Sequence, residues 1–191
     1  ALNSSLEGFN KWRRETPLNR QSILEKAAKI LEREFDKKSE NLTREMGKPL
    51  VEAKIEMQVA IDLLRWYGEE GKRVYGRIIP SRIPNMEHEA RKVPAGPVLA
   101  FVAWNFPATN VMRKVAGALA AGCSITIKPS EETPATAIAI GKALMEAGLP
   151  AGVFNIVFGV PSEVSEHLLA SPIPRKLSFT GSVPVGIHLQ K

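Results

Sequence analysis

A chain of 191 residues is long enough to bury one sizeable core, and 44% hydrophobic with 24% charged residues is the ordinary balance of a globular protein. The net charge of +6 invites a nucleic-acid reading. However, Lys and Arg alternate with acids through residues 26–44 and never cluster with aromatics, so nucleic acid is not an expected partner. No apolar run reaches the roughly 18 to 20 residues of a membrane span, and the first residues lack a basic-then-apolar signal pattern. A single cysteine excludes an internal disulfide. Together these features predict a soluble, cytoplasmic protein with no membrane partner.

In the first third, Ile23, Ala27, Ile30 and Leu31 recur at helical spacing, and so do Val51, Ile55, Val59, Leu63 and Trp66. The spacing predicts two amphipathic helices within residues 1–76, with Trp66 and Tyr67 as core aromatics. Gly47 is a C-terminal stop, and Pro49 opens the second helix. Residues 77–97 are spaced by prolines and read as extended, with short strands near Ile78 and over Ala90 to Val93.

From residue 98 to 191, Val98 to Ala103, Ser124 to Lys128, Val153 to Phe158 and Lys176 to Phe179 read as strands that alternate with helices, one of them from about Ala108 to Ala121. This predicts an α/β fold, a Rossmann-like doubly wound parallel sheet preceded by amphipathic helices. Ligands of such sheets bind outside the carboxyl ends of the strands. At those ends stand Trp104-Asn105-Phe106-Pro107, then Lys128-Pro129-Ser130-Glu131-Glu132-Thr133-Pro134, then Thr180-Gly181-Ser182 with Gly186 beyond. A right-handed crossover brings the first two together. The indole of Trp104, the amide of Asn105, the ammonium of Lys128 and the carboxylate of Glu131 are therefore expected to face one groove beside the glycine turn.

The glycine turn suits a phosphate, because Gly181 permits close backbone approach and Ser182 stands where a helix cap or a pyrophosphate contact would be. It lacks the Lys of a Walker loop, and a glycine turn alone needs no ligand. Lys128 and Glu131 taken singly are equally consistent with a solvated loop. His88, His167 and His188 are scattered and no GxSxG elbow occurs, so neither metal nor serine chemistry is expected. Cys123 follows a helix end, enters an apolar strand and has no base beside it, which predicts a buried, inert thiol.

WNFP, KPSEETP and SFTGSVPVG in this order, with EMGKP at residues 45–49, resemble the NAD(P)-dependent aldehyde dehydrogenase superfamily over nearly the whole chain. The Arg113-Lys114 pair and the phrase ALAAGCSITIKPSE look most like succinate-semialdehyde dehydrogenases. The resemblance implies a truncated form of that fold: an N-terminal, cofactor-binding part of a homo-oligomeric enzyme that oxidises an aldehyde to a carboxylic acid, with residues 77–97 reaching toward a neighbouring subunit. It places Trp104, Lys128, Glu131, Gly159, Thr180, Gly181, Ser182 and Gly186 along the dinucleotide. It makes Asn105 the oxyanion donor and Arg113 the partner of a substrate carboxylate. The Glu131 carboxylate accepts from a ribose hydroxyl and repels a 2′-phosphate, favouring NAD while NADP remains possible. Family members often carry Pro where this chain has Ala103. The nucleophilic Cys and general-base Glu of the family lie in later segments, so the chain alone is expected to be inactive. A non-catalytic nucleotide-binding module or a scaffold fragment stays open as the alternative.

Overall fold

A computed structural model describes residues 1–190. Four helices open the chain: α1 (Leu2–Trp12), α2 (Pro17–Arg33), α3 (Phe35–Met46) and α4 (Leu50–Glu70), followed by a 3-10 turn at Gly71–Arg73. Thr16 starts α2 by accepting from the Asn19 amide at 3.1 Å, with Pro17 in the first turn, where its missing N–H costs nothing. Gly47 ends α3 at φ 86°, a left-handed conformation that favours glycine, and Pro49 immediately precedes α4.

The strands are β1 (Arg77–Pro80), β2 (Glu87–Ala90), β3 (Val98–Phe101), β4 (Ile125–Lys128), β5 (Phe154–Ile156) and β6 (Lys176–Phe179). Between and after them run α5 (Pro107–Ala120), α6 (Pro134–Glu146), α7 (Pro161–Leu169) and α8 (Val183–His188). β1 and β2 form an exposed antiparallel hairpin, with Arg77 opposite Ala90 and Pro80 opposite Glu87. The second strand therefore ends at Ala90 instead of spanning Ala90 to Val93. Its partner begins at Arg77, and the chain before Arg77 emerges from the 3-10 turn.

The other four strands form a parallel sheet in the order β5-β4-β3-β6. Val98, Ala100, Ile125 and Ile127 point into a core shared with α2, α4, α5 and α6. Leu99 and Phe101 point the other way, against Leu168 of α7, Leu177 and Phe179 of β6, and Leu189 after α8. Strand alternation thus distributes apolar side chains to both faces, as a doubly wound sheet requires.

The buried face of α4 is not the predicted one. Ala53, Met57, Ala60, Ile61 and Leu64 are buried, whereas Val51, Ile55, Val59 and Trp66 are exposed and Leu63 is half-buried. α4 packs on α2 and α5, and the small side chains of Ala53 and Ala60 permit close approach. The bulkier stripe dominates the sequence pattern, but small residues make this packing surface. Trp66 is accordingly outside the core, while Tyr67 packs against it and lies beside Gly117.

Polar bonds fasten the helices to the sheet layer. The Trp12 indole donates to the Leu119 carbonyl at 2.9 Å, and the Ser5 and Ser124 hydroxyls meet at 2.9 Å. Glu45 accepts from the Ala135 and Thr136 amides at 2.7 and 3.0 Å, and from the Thr136 hydroxyl, so a side chain of α3 caps α6. Gly8 lies so close to Gly152 that a Cβ there would overlap the Gly152 carbonyl. Gly8→Ala should lower stability by about 1–3 kcal/mol through overpacking. Glu45→Ala should cost about 1–2 kcal/mol through loss of the cap. Urea unfolding measures both, and midpoints unchanged from the parent would contradict the packing and capping described.

Candidate active site

The strand order reverses beside β3, whose neighbours are β4 on one side and β6 on the other. Connections from the two sides leave in opposite directions, and a crevice opens at the carboxyl ends. Thr180 extends the pairing of β3 and β6 by donating its amide to the Phe101 carbonyl at 2.9 Å. The resulting groove, of about 610 Å³, is lined by Trp104, Lys128, Glu131, Thr180, Gly181 and Ser182, with α7 contributing Ser162 and Ser165. Lys128 is only 7% exposed; its ammonium pairs with the exposed Glu131 carboxylate and donates to the Pro129 carbonyl at 3.4 Å. Trp104 is half-exposed at the rim.

The glycines divide by cause. Gly181 has no positive φ; a Cβ there would run into the Phe179 ring, so glycine admits the strand's own aromatic side chain at this turn. Gly186 also faces that ring, with a Cβ 3.2 Å from it. Gly159 has φ +147°, and its turn leads into α7. Neither Gly159 nor Gly186 lines the groove. Ser182 occupies the N-cap position of α8 with extended backbone, but its hydroxyl makes no capping bond.

Asn105 does not share this groove. It is exposed, its Oδ1 accepts from Asn110 Nδ2 at 3.3 Å, and its own Nδ2 makes no hydrogen bond among the described residues. The expectation of one groove for four groups is thus met by Trp104, Lys128 and Glu131 and corrected for Asn105, which α5 draws to its own side. Between α4 and α5 a second groove of about 360 Å³ is lined by Ile55, Val59, Phe106, Asn110 and Arg113, among others, and Asn105 is not in its lining. Arg113 is exposed and has no ion-pair partner among the described residues. Its neighbour Lys114 donates to the Ser178 hydroxyl at 3.0 Å, and burial pushes its pKa below the ordinary lysine value.

Two residues at this site escaped the sequence reading. Glu56 is 4% exposed and accepts from the Ala108 and Thr109 amides at 2.8 and 3.1 Å, while its carboxylate pairs with the buried Lys48 ammonium. Lys48 also donates to the Asn105 carbonyl at 3.4 Å and lies 4.2 Å from the Phe106 ring centroid. The available signal was a glutamate in register with Ala53, Met57 and Ala60 on the small-residue face of α4. Cys123 is buried just before β4, at the end opposite Lys128. No group of three or more metal-ligating side chains occurs among the described residues.

The model of the aldehyde dehydrogenase family matches residues 1–191. The 4-(hydroxymethyl)benzenesulfonate dehydrogenase TsaD1 of Comamonas testosteroni is 48% identical, over 99% of this chain and 40% of its own length. The succinate-semialdehyde dehydrogenase [NADP(+)] GabD of Escherichia coli is 39% identical, over 100% of this chain and 40% of its own. The crystal structure of succinate-semialdehyde dehydrogenase from Burkholderia pseudomallei superposes with a TM-score of 0.97 at 40% identity, covering 99% of this chain and 39% of that one. The chain therefore spans about 40% of the length of the curated relatives it matches. Its backbone superposes on that architecture, the family model matches residues 1–191, and the chain belongs to the aldehyde dehydrogenase family.

Proposed function

We propose that this chain is the cofactor-binding part of an NAD(P)-dependent enzyme that oxidises an aldehyde bearing a distal anion to the carboxylic acid. The carrying observation is the groove in which Lys128 and Glu131 emerge together beside Thr180–Ser182. That donor set fits an adenosine dinucleotide: an ammonium supplies hydrogen bonds and a carboxylate accepts them, as the vicinal hydroxyls of a ribose require. Glu131 favours the free 2′-hydroxyl of NAD over the phosphate of NADP. Trp104 and the Thr180-Gly181-Ser182 turn lie along the rest of the dinucleotide, and Gly159 and Gly186 shape the turns behind it. When bound, the nicotinamide supplies the hydride acceptor.

Asn105 takes the role of oxyanion donor. Asn110 ties down its amide oxygen, leaving the NH₂ end free to meet negative charge developing on the aldehyde oxygen. Arg113, without an ion-pair partner among the described residues, lines the groove beside Ile55, Val59 and Phe106, so an aldehyde with an apolar middle and an anionic end suits it. Relatives named for succinate semialdehyde, glutarate semialdehyde and 4-(hydroxymethyl)benzenesulfonate support a carboxylate or sulfonate at that end. The nucleophilic thiolate and the general base come from outside these residues, since Cys123 is buried at the far end of β4. The chain alone binds cofactor without turning aldehyde over, and residues 77–97 serve contact between subunits of a cytoplasmic homo-oligomer.

In the full-length enzyme, Lys128→Ala should weaken NAD⁺ binding roughly 10- to 100-fold by calorimetry, the worth of a hydrogen bond from a charged donor. An unchanged Kd rejects the cofactor assignment. Asn105→Ala should lower kcat by about 10²- to 10³-fold with NAD⁺ affinity intact. Arg113→Ala should raise KM for succinate semialdehyde about tenfold or more, but not for an uncharged aldehyde of the same length. Equal effects on both substrates remove Arg113 from the anion site.

A further inference from the structure

We infer that Lys48 and Glu56 are positioning residues for the Asn105 amide, an inference that rests on the oxyanion role proposed above. The N-cap of α5 is Phe106, whose side chain offers no oxygen to cap the helix, and no local side-chain cap bond is made. The opening amides of α5 would therefore go unmet in a buried setting. Glu56 meets two of them from α4, some fifty residues earlier in the chain.

Its charge is held in turn by Lys48, and the two are nearly inaccessible to water. A buried pair survives only where its remaining hydrogen-bonding capacity is satisfied. Apart from each other, these two groups spend that capacity on one short stretch: the Asn105 carbonyl, the Phe106 ring, and the Ala108 and Thr109 amides. The backbone from the Asn105 carbonyl to Thr109 is thereby fastened to α4 and to the turn before it. Among the described residues the Asn105 side chain itself has a single anchor, Asn110. Direction of its free NH₂ group thus depends on a backbone that the Lys48–Glu56 pair holds. The equivalent opening of α6, after the Lys128 loop, is held separately by Glu45, so the two loops have independent braces.

Lys48→Met in the full-length enzyme removes the ammonium while keeping most of the side chain. It should lower kcat roughly 10- to 100-fold, as a misaligned catalytic group does, with the NAD⁺ Kd unchanged. Lys48→Arg should restore part of the loss. In an Asn105→Ala background, Lys48→Met should add little, because both changes remove one function. Losses that multiply in full, or an unaltered kcat in Lys48→Met, overturn the positioning role. Should the single variant fail to fold, the neutral combination Lys48→Met with Glu56→Gln leaves no lone buried charge and carries the same expectations. Hydrogen exchange separates this inference from the oxyanion reading. If Asn105→Ala leaves kcat unchanged, that reading fails, yet Lys48→Met should still speed exchange at Ala108 and Thr109 while Ala135 and Thr136 keep their protection. Unchanged exchange at Ala108 and Thr109 overturns the brace itself.

Discussion

The pairing of β3 with β4 on one edge and β6 on the other is the constraint from which the rest of this molecule follows. Parallel pairing sets the carboxyl ends of the three strands side by side, with Phe101 level with Lys128 and Phe179. The chain must then leave in opposite directions, over α5 and α6 on one face and α7 and α8 on the other. The space between those departures cannot be filled by the strands themselves. It becomes a groove whose walls are whatever side chains the turns happen to carry, here an indole, an ammonium, a carboxylate and a glycine turn.

The helices of the first 70 residues act on this groove from behind. α2 and α4 complete the core beneath α5 and α6, and their apolar burial is what makes the sheet face dry. More specifically, Glu45 and Glu56 each reach a helix that begins directly after a strand-end loop. A carboxylate at such a start meets orphan amides and the positive end of the helix dipole. Supporting these starts from a distant segment makes loop geometry a property of the whole fold. Lys48 adds a countercharge that a buried carboxylate would otherwise lack.

Much of this was legible in the sequence, and the reasons for success and failure are local. β3, β4, β5 and β6 stand out as short apolar runs bounded by Gly, Pro and polar residues, and the shifts in their ends come to a residue or two because ladders stop where pairing stops. The meeting of Lys128 with Glu131 follows from their spacing across a proline turn. By contrast, the sequence pattern points to the wrong face of α4, because hydrophobic bulk weighs more in a periodicity than the alanines that let helices approach. α1 and α3 carry shorter apolar stripes, which do not mark them as separate helices in the sequence pattern. Asn105 and Trp104 are adjacent in sequence, yet Trp104 lines the groove and Asn105 does not, since Asn110 of α5 holds it, and no spacing rule reports a bond made by a later helix. The Lys48–Glu56 pair joins the turn before α4 to α4 itself, and its bonds to the start of α5 are tertiary, visible beforehand only as a charge among small apolar residues.

The central claim is that the groove between β4 and β6 holds a dinucleotide. A crystal structure of the full-length enzyme grown with saturating NAD⁺ tests it most directly. The account predicts electron density with the adenosine ribose against Lys128 and Glu131 and the pyrophosphate beside Thr180 to Ser182. Density for the dinucleotide at any other place, with this groove filled only by water, would contradict it.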